Sequence, residues 1–193
     1  MPSNSYRIWR TTRAAALDEI AEAHAAVGGP ARGRRRATQQ IKRAYAVLLA
    51  AEFQGFSRDL HTECVEHLLG VIAPPPVLRL LLRGELMRGR QLDRGNAQPS
   101  SLGADFGRLD LAFWPALLVH DANSTAWRAD LEALNEWRNA IVHQDFTSTR
   151  LGGIINLRIT QVRRWRASCR RLARAFDEVM CGHLLALTGV SPW

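Results

Sequence analysis

The run Trp137-Arg138-Asn139-Ala140-Ile141-Val142-His143-Gln144-Asp145 places a guanidinium, a carboxamide and an imidazole within one short stretch of helical pattern. Arginine binds anionic oxygen, histidine exchanges protons near neutral pH, and a planar amide can orient either partner. Together those capacities suit phosphodiester chemistry. At about 100° per residue, Trp127, Leu131, Leu134, Arg138 and Ile141 fall within roughly 80° of one another, so Arg138 belongs to an apolar stripe. A charge there stays ionised and must be paired, hydrogen-bonded, or exposed at an interface or cleft. Asn139 and His143, four residues apart, share the neighbouring face.

Two readings of Arg138 follow from its position. It serves an active site, or it closes a structural ion pair with Asp145 or with an acid on the long preceding helix such as Asp59 or Glu63. Residues five apart on a regular helix diverge by about 140°, so Arg138 and His143 meet only if the helix distorts at its end or if two chains each supply one of them.

Arg, four intervening residues and His, with Asn directly after the Arg, resembles the motif of the HEPN superfamily of all-α domains. The likeness covers Asn135 to Phe146, and beyond it only the general helical layout. The resemblance implies a homodimer with one composite cleft and a metal-independent endoribonuclease without cofactor. An RNA 2′-hydroxyl would attack the adjacent phosphate, leaving a 2′,3′-cyclic phosphate and a 5′-hydroxyl. In that scheme His143 moves the proton, Arg138 stabilises charge on the phosphorane oxygens, and Asn139 orients the histidine or bonds the phosphate. The physiological setting it implies is a toxin or antiviral-defence effector, with RNA, a second copy, and an antitoxin or regulatory protein as partners. The alternative is a non-catalytic HEPN-like dimerisation or nucleic-acid-binding module that keeps the same residues as a polar interface.

The elements that must position these groups belong to a chain of 193 residues, 47% hydrophobic, enough for one helical domain spanning 1–193 with a substantial core. A formal charge of +8 points toward polyanions. Lys42 is the lone lysine among 26 basic residues, an arginine bias that a GC-rich genome also imposes. Three cysteines without CxxC spacing indicate neither a disulfide framework nor a zinc ribbon and fit a reducing cytosol. Met1 to Arg13 lacks an apolar signal core and no stretch is apolar enough to span a bilayer, so the expected location is cytoplasmic with no membrane partner.

Periodicity predicts helices over Tyr6–Val27, Thr38–Ile72, Val77–Arg88, Ala112–Val119, Ser124–Asp145 and Thr160–Leu187, with a basic hinge at Ala31–Arg36. That is an all-α bundle of about five to six helices, HEPN-like, with an irregular loop at 89–109 holding at most one turn capped by Ser100 or Ser101. A strap or small hairpin is expected at 146–159. The last helix is the cleanest: Val162, Trp165, Cys169, Leu172, Phe176, Val179 and His183 form its stripe. Opposite them stand Arg163, Arg164, Arg170, Arg171 and Arg174, flanked by Arg166. Arg163, Arg166, Arg170 and Arg174 are the candidate RNA-binding residues, set against an ordinary solvated face. His61, Cys64 and His67 recur every three residues, but buried Cys and singly bonded His explain them without a metal. Asp105-Phe106-Gly107 stands without the other kinase motifs and is read as coincidence. No Glu-x-x-His pair, phosphate loop or G-x-S-x-G occurs.

Overall fold

The computed structural model describes residues 1–27, 35–147 and 151–193, which form seven helices and no strand. Helix α1 runs from Asn4–Ile8 through a π-helical turn, Trp9–Arg13, into Ala14–Val27. The others are α2 (Arg35–Ile72), α3 (Pro76–Met87), α4 (Pro99–Gly107), α5 (Phe113–His120), α6 (Ser124–His143) and α7 (Ile159–Thr188). The all-α class is therefore as the sequence predicts, with more helices than its periodicity marks. No helix among the described residues is long and apolar enough to cross a membrane. Most of the expected basic hinge, residues 31–34, lies outside the described residues, and Arg35-Arg36 begin α2.

Helix α2 forms because Tyr45, Leu49, Phe53, Phe56, Leu60 and Cys64 repeat at three-and-four spacing, and all are buried. Against them α7 turns Val162, Trp165, Cys169, Leu172, Phe176 and Met180, also buried. Val179 and His183 are only partly covered; His183 reaches the Leu109 carbonyl at 2.7 Å. The Phe176 ring is the meeting point. Its centroid lies 4.7 Å from Phe113 and 5.7 Å from Phe53, and it also touches Phe56, Phe106 and Trp114.

Carboxylates anchor α1 where its first N–H groups have no helical partner. Glu63 accepts the Asn4 N–H at 2.8 Å and the Ser5 N–H at 2.9 Å, and buried Asp177 accepts the Ser3 N–H at 3.1 Å. Further along, the π turn swings Arg13 onto α2, where it pairs with Glu52 at 2.6 Å and Asp59 at 2.7 Å. A Cβ at Gly55 would come within 2.6 Å of the Arg13 guanidinium, so a larger residue there would displace Arg13 from this crossing.

The segment 89–109 departs from the expected loop. Pro99 occupies the first position of α4, where its missing N–H costs nothing, and Gln98 stands at the cap rather than Ser100 or Ser101. Leu102 and Phe106 drop into the core, and Phe106 stacks on Phe113 at 4.4 Å. Asp105 is structural: its carboxylate accepts the N–H groups of Gln91 at 2.9 Å and Leu92 at 2.8 Å, closing a 3-10 turn at Gln91–Asp93. Residues 148–150 of the expected strap lie outside the described residues. On either side, Leu151 and Leu157 are buried, the Gly153 N–H bonds the Phe146 carbonyl at 3.1 Å, and the Ile155 carbonyl accepts from Gln39 and Arg43 of α2. The described residues 151–158 contain no strand and end where α7 starts at Ile159.

His61 lies in this core with a defined tautomer. Its Nε2 faces the Asp105 carbonyl at 2.9 Å, which can only accept, and its Nδ1 faces an Arg90 nitrogen at 3.4 Å, which can only donate. The ring is therefore neutral, protonated at Nε2. Burial first, and the Arg90 charge second, push its pKa from 6.5 down to about 4. Above about pH 6.5 this neutral histidine contributes fully; as pH falls toward 4 the unfolded chain binds a proton that the folded chain refuses. The expected loss is roughly 3 kcal/mol across that window. Burial raises Asp177, which acts in the opposite sense. Denaturant melts of the wild type and of His61→Gln at several pH values isolate the histidine, and the variant should lose most of the slope.

Candidate functional site

Helix α6 carries the motif, and its stripe seats it firmly. Trp127, Leu131, Leu134 and Trp137 are buried, and the Trp137 ring packs 6.4 Å from Trp165 of α7. Buried Asp130 accepts from Arg164 at 2.7 Å and from the Ser168 hydroxyl at 2.7 Å, tying α6 to α7. On the other side the Asn135 amide donates to the Ala97 carbonyl at 2.9 Å, tying α6 to the segment before α4. Ser124 is the first helical residue, with Asn123 at the cap position.

The helix continues as regular α-helix to His143 and stops there because Gln144 turns left-handed, with φ of 55°. No distortion rotates the motif. Arg138 and His143 therefore keep their divergent directions within one chain. The Arg138 guanidinium is half-buried and donates to the neighbouring Asn139 carboxamide oxygen at 3.2 Å. That oxygen also accepts from the Asn96 amide at 2.6 Å, so Asn139 is held from two sides. His143 is exposed at the last turn.

The acids that the sequence offered to Arg138 are occupied elsewhere. Asp59 pairs with Arg13, Glu63 caps α1, and Asp145 takes the N–H and hydroxyl of Thr147, which hold its carboxyl below the usual range. Among the described residues Arg138 forms no ion pair. Asn139 and His143 line a cavity of about 440 Å³ together with Gln98, Glu132, Glu136 and Asp145. The imidazole thus opens on a hollow rimmed by carboxylates, and Arg138 is absent from its lining. Asn96, Gln98 and Asp130 were not singled out in the sequence. A signal for Asp130 existed, since it is a charge in the stripe of α6, the same logic that marks Arg138.

The arginine face of α7 opens on a separate and larger trough, of about 1330 Å³, between α7 and α1. Arg163, Arg166, Arg170 and Arg174 all border it, with Arg10 and Tyr6 of α1 on the facing wall. Arg163 and Arg170 are exposed and have no carboxylate partner among the described residues. Arg174 pairs with Glu178 at 2.8 Å, a surface contact. Arg166 is different: it bonds Asp18 at 2.7 Å and the Tyr45 hydroxyl at 2.9 Å, and fastens α7 to α1 and α2 rather than facing a ligand. Burial first, then Lys42 and Arg163, lowers the pKa of His24.

The remaining candidates are structural. Cys64 is buried, with its thiol pushed well up by burial, and His67 reaches the Thr188 hydroxyl at 3.5 Å. No group of three or more His, Cys, Asp or Glu side chains that could hold a metal ion occurs among the described residues. Comparison of the chain with protein-family models, with curated proteins and with solved structures finds no match.

These contacts predict a reversal of the ordinary expectation for charged residues on α6. Arg138→Ala should change stability by less than about 1 kcal/mol, because no acid is left unpaired. Asp130→Ala should cost about 2 kcal/mol, because the Ser168 hydroxyl loses its acceptor in a buried setting. Urea denaturation of both variants checks the order, and a larger loss for Arg138→Ala would reveal a hidden partner.

Proposed function

We propose that this chain is a metal-independent endoribonuclease of the HEPN type, acting as a homodimer in which Arg138 of one copy meets His143 of the other. The observation that carries the reading is the motif's own geometry. Asn139 is fixed by two hydrogen bonds, His143 stands exposed beside it, and Arg138 leaves the same helix on a divergent face with no ion-pair partner among the described residues. A second copy supplies what one chain separates, and two-fold symmetry would build both halves at once.

In the proposed reaction the bond from the 2′-oxygen to phosphorus forms as the bond from phosphorus to the 5′-oxygen breaks. His143 takes the 2′-hydroxyl proton, solvent protonates the departing 5′-oxygen, and Arg138 stabilises the dianionic phosphorane. A cytoplasmic toxin or antiviral-defence role, held in check by an antitoxin or regulatory protein, fits such an activity.

A second reading keeps the same residues as a polar surface around the hollow that Asn139 and His143 line with Gln98. In it the chain is a non-catalytic HEPN-like module that dimerises or binds nucleic acid.

Incubation with single-stranded RNA in EDTA separates the two. The first predicts fragments ending in 2′,3′-cyclic phosphate, and a roughly 10²–10⁴-fold loss of rate in a folded His143→Ala variant. Intact RNA at high enzyme concentration would leave the second reading standing, and cleavage undiminished in a folded His143→Ala variant would remove His143 from the reaction.

A further inference from the structure

The RNA-binding half of that reading can be made specific. We propose that the trough between α1 and α7 holds a single strand of nucleic acid, with successive phosphates on Arg163, Arg170 and Arg174 and bases against Tyr6 and Trp193. This deepens the proposed function without depending on cleavage.

Spacing is the first argument. Arg163, Arg170 and Arg174 lie within roughly 40° of one another around α7, at intervals of about 10 and 6 Å along its axis. Those intervals correspond to one or two steps of a single-stranded backbone. Shape is the second. The trough exceeds the ~300–1,000 Å³ typical of small-molecule pockets, and its lining runs from Arg163 to Gly182, roughly 28 Å of helix. A strand fits that outline better than a mononucleotide. Ala167, exposed between Arg163 and Arg170, keeps the floor shallow.

Charge and aromatic surface supply the third. The trough is bordered by six arginines and three acids. Of the acids, Asp18 is taken by Arg166, Glu178 by Arg174, and Asp177 is buried against Ser3. Arg163 and Arg170 remain for a ligand, and the exposed Arg174 pair can exchange its carboxylate for a phosphate. Tyr6 and Trp193 are partly exposed in the same lining, and Arg10 sits 5.9 Å over the Tyr6 ring. Aromatic faces beside arginines bind unpaired bases, which a duplex hides. The trough is also remote from the motif hollow: α7 meets α1 on one side and α6 on the other, and the hollow opens on the far side of α6, toward Gln98. It is therefore a strand-anchoring site rather than the cleavage cleft of the same chain.

Fluorescence anisotropy on the full chain tests this with a 2′-O-methyl oligouridine octamer, which cannot be cleaved, an RNA duplex of equal length, and inorganic polyphosphate of equal charge. The octamer should bind at least tenfold more tightly than either competitor, and its affinity should fall with salt at a log–log slope near −2. Arg163→Gln and Arg170→Gln, both at exposed positions, should each flatten that slope by about 0.7. Trp193→Ala should reduce the preference over polyphosphate several-fold. Equal binding of duplex or polyphosphate, or a slope unchanged in both Gln variants, overturns the proposal. Because the octamer is inert, these outcomes are independent of whether His143 cleaves RNA.

Discussion

The aromatic core of this molecule is built around the Phe176 ring. It touches aromatic side chains of α2, α4 and α5, so one residue of α7 fixes how four helices meet. It also fixes the rotation of α7. With Phe176 inward, the next residue, Asp177, is set to receive the N-terminus of α1, and Arg163, Arg170 and Arg174 turn away from the core along α1. The trough and its charge are thus consequences of core packing. Surplus arginine alone gives a basic protein; the angular relation to Phe176 concentrates it on one line.

The pitch of α6 is the second constraint. Its stripe is clamped on α7 through Asp130 and Trp137 and on the Asn96–Gln98 segment through Asn135 and Asn139, which leaves no freedom to bring Arg138 and His143 together. In the proposed reading one chain offers two incomplete halves, an exposed histidine lining a hollow with Asn139 and an arginine whose described contact is a neighbouring amide. Rigid halves of this kind suit a site completed by symmetry, because each is preorganised before the chains meet.

Much of this was legible in the residues. The three-and-four spacing along α7 marks its large buried side chains from Val162 to Phe176, and the prolines after Ile72 and the Gly152-Gly153 pair mark real breaks between helices. What escaped was structure created by tertiary contacts. Helix α4 has glycines and serines that promise a loop, yet Pro99 starts it and Leu102 and Phe106 are drawn into the aromatic cluster. Asp105 closes the turn at Gln91 from fourteen residues away, and Arg166 lies at the edge of a solvated face until Asp18 and Tyr45 claim it. Composition also cannot reveal that Asp59 and Glu63 are already engaged by α1, so the sequence leaves a structural ion pair for Arg138 open. The divergence of Arg138 and His143, in contrast, follows from helix geometry alone and survives intact.

The central claim, a site shared between two chains, is tested most directly by complementation. Arg138→Ala and His143→Ala chains, each inactive alone on RNA, are mixed in equal amounts, exchanged and assayed in EDTA. A shared site predicts recovery of about one quarter of wild-type activity, because half the dimers are mixed and each of those holds one intact pair out of two. A mixture as inactive as its components, from chains whose wild-type parent does cleave RNA, would contradict the shared site.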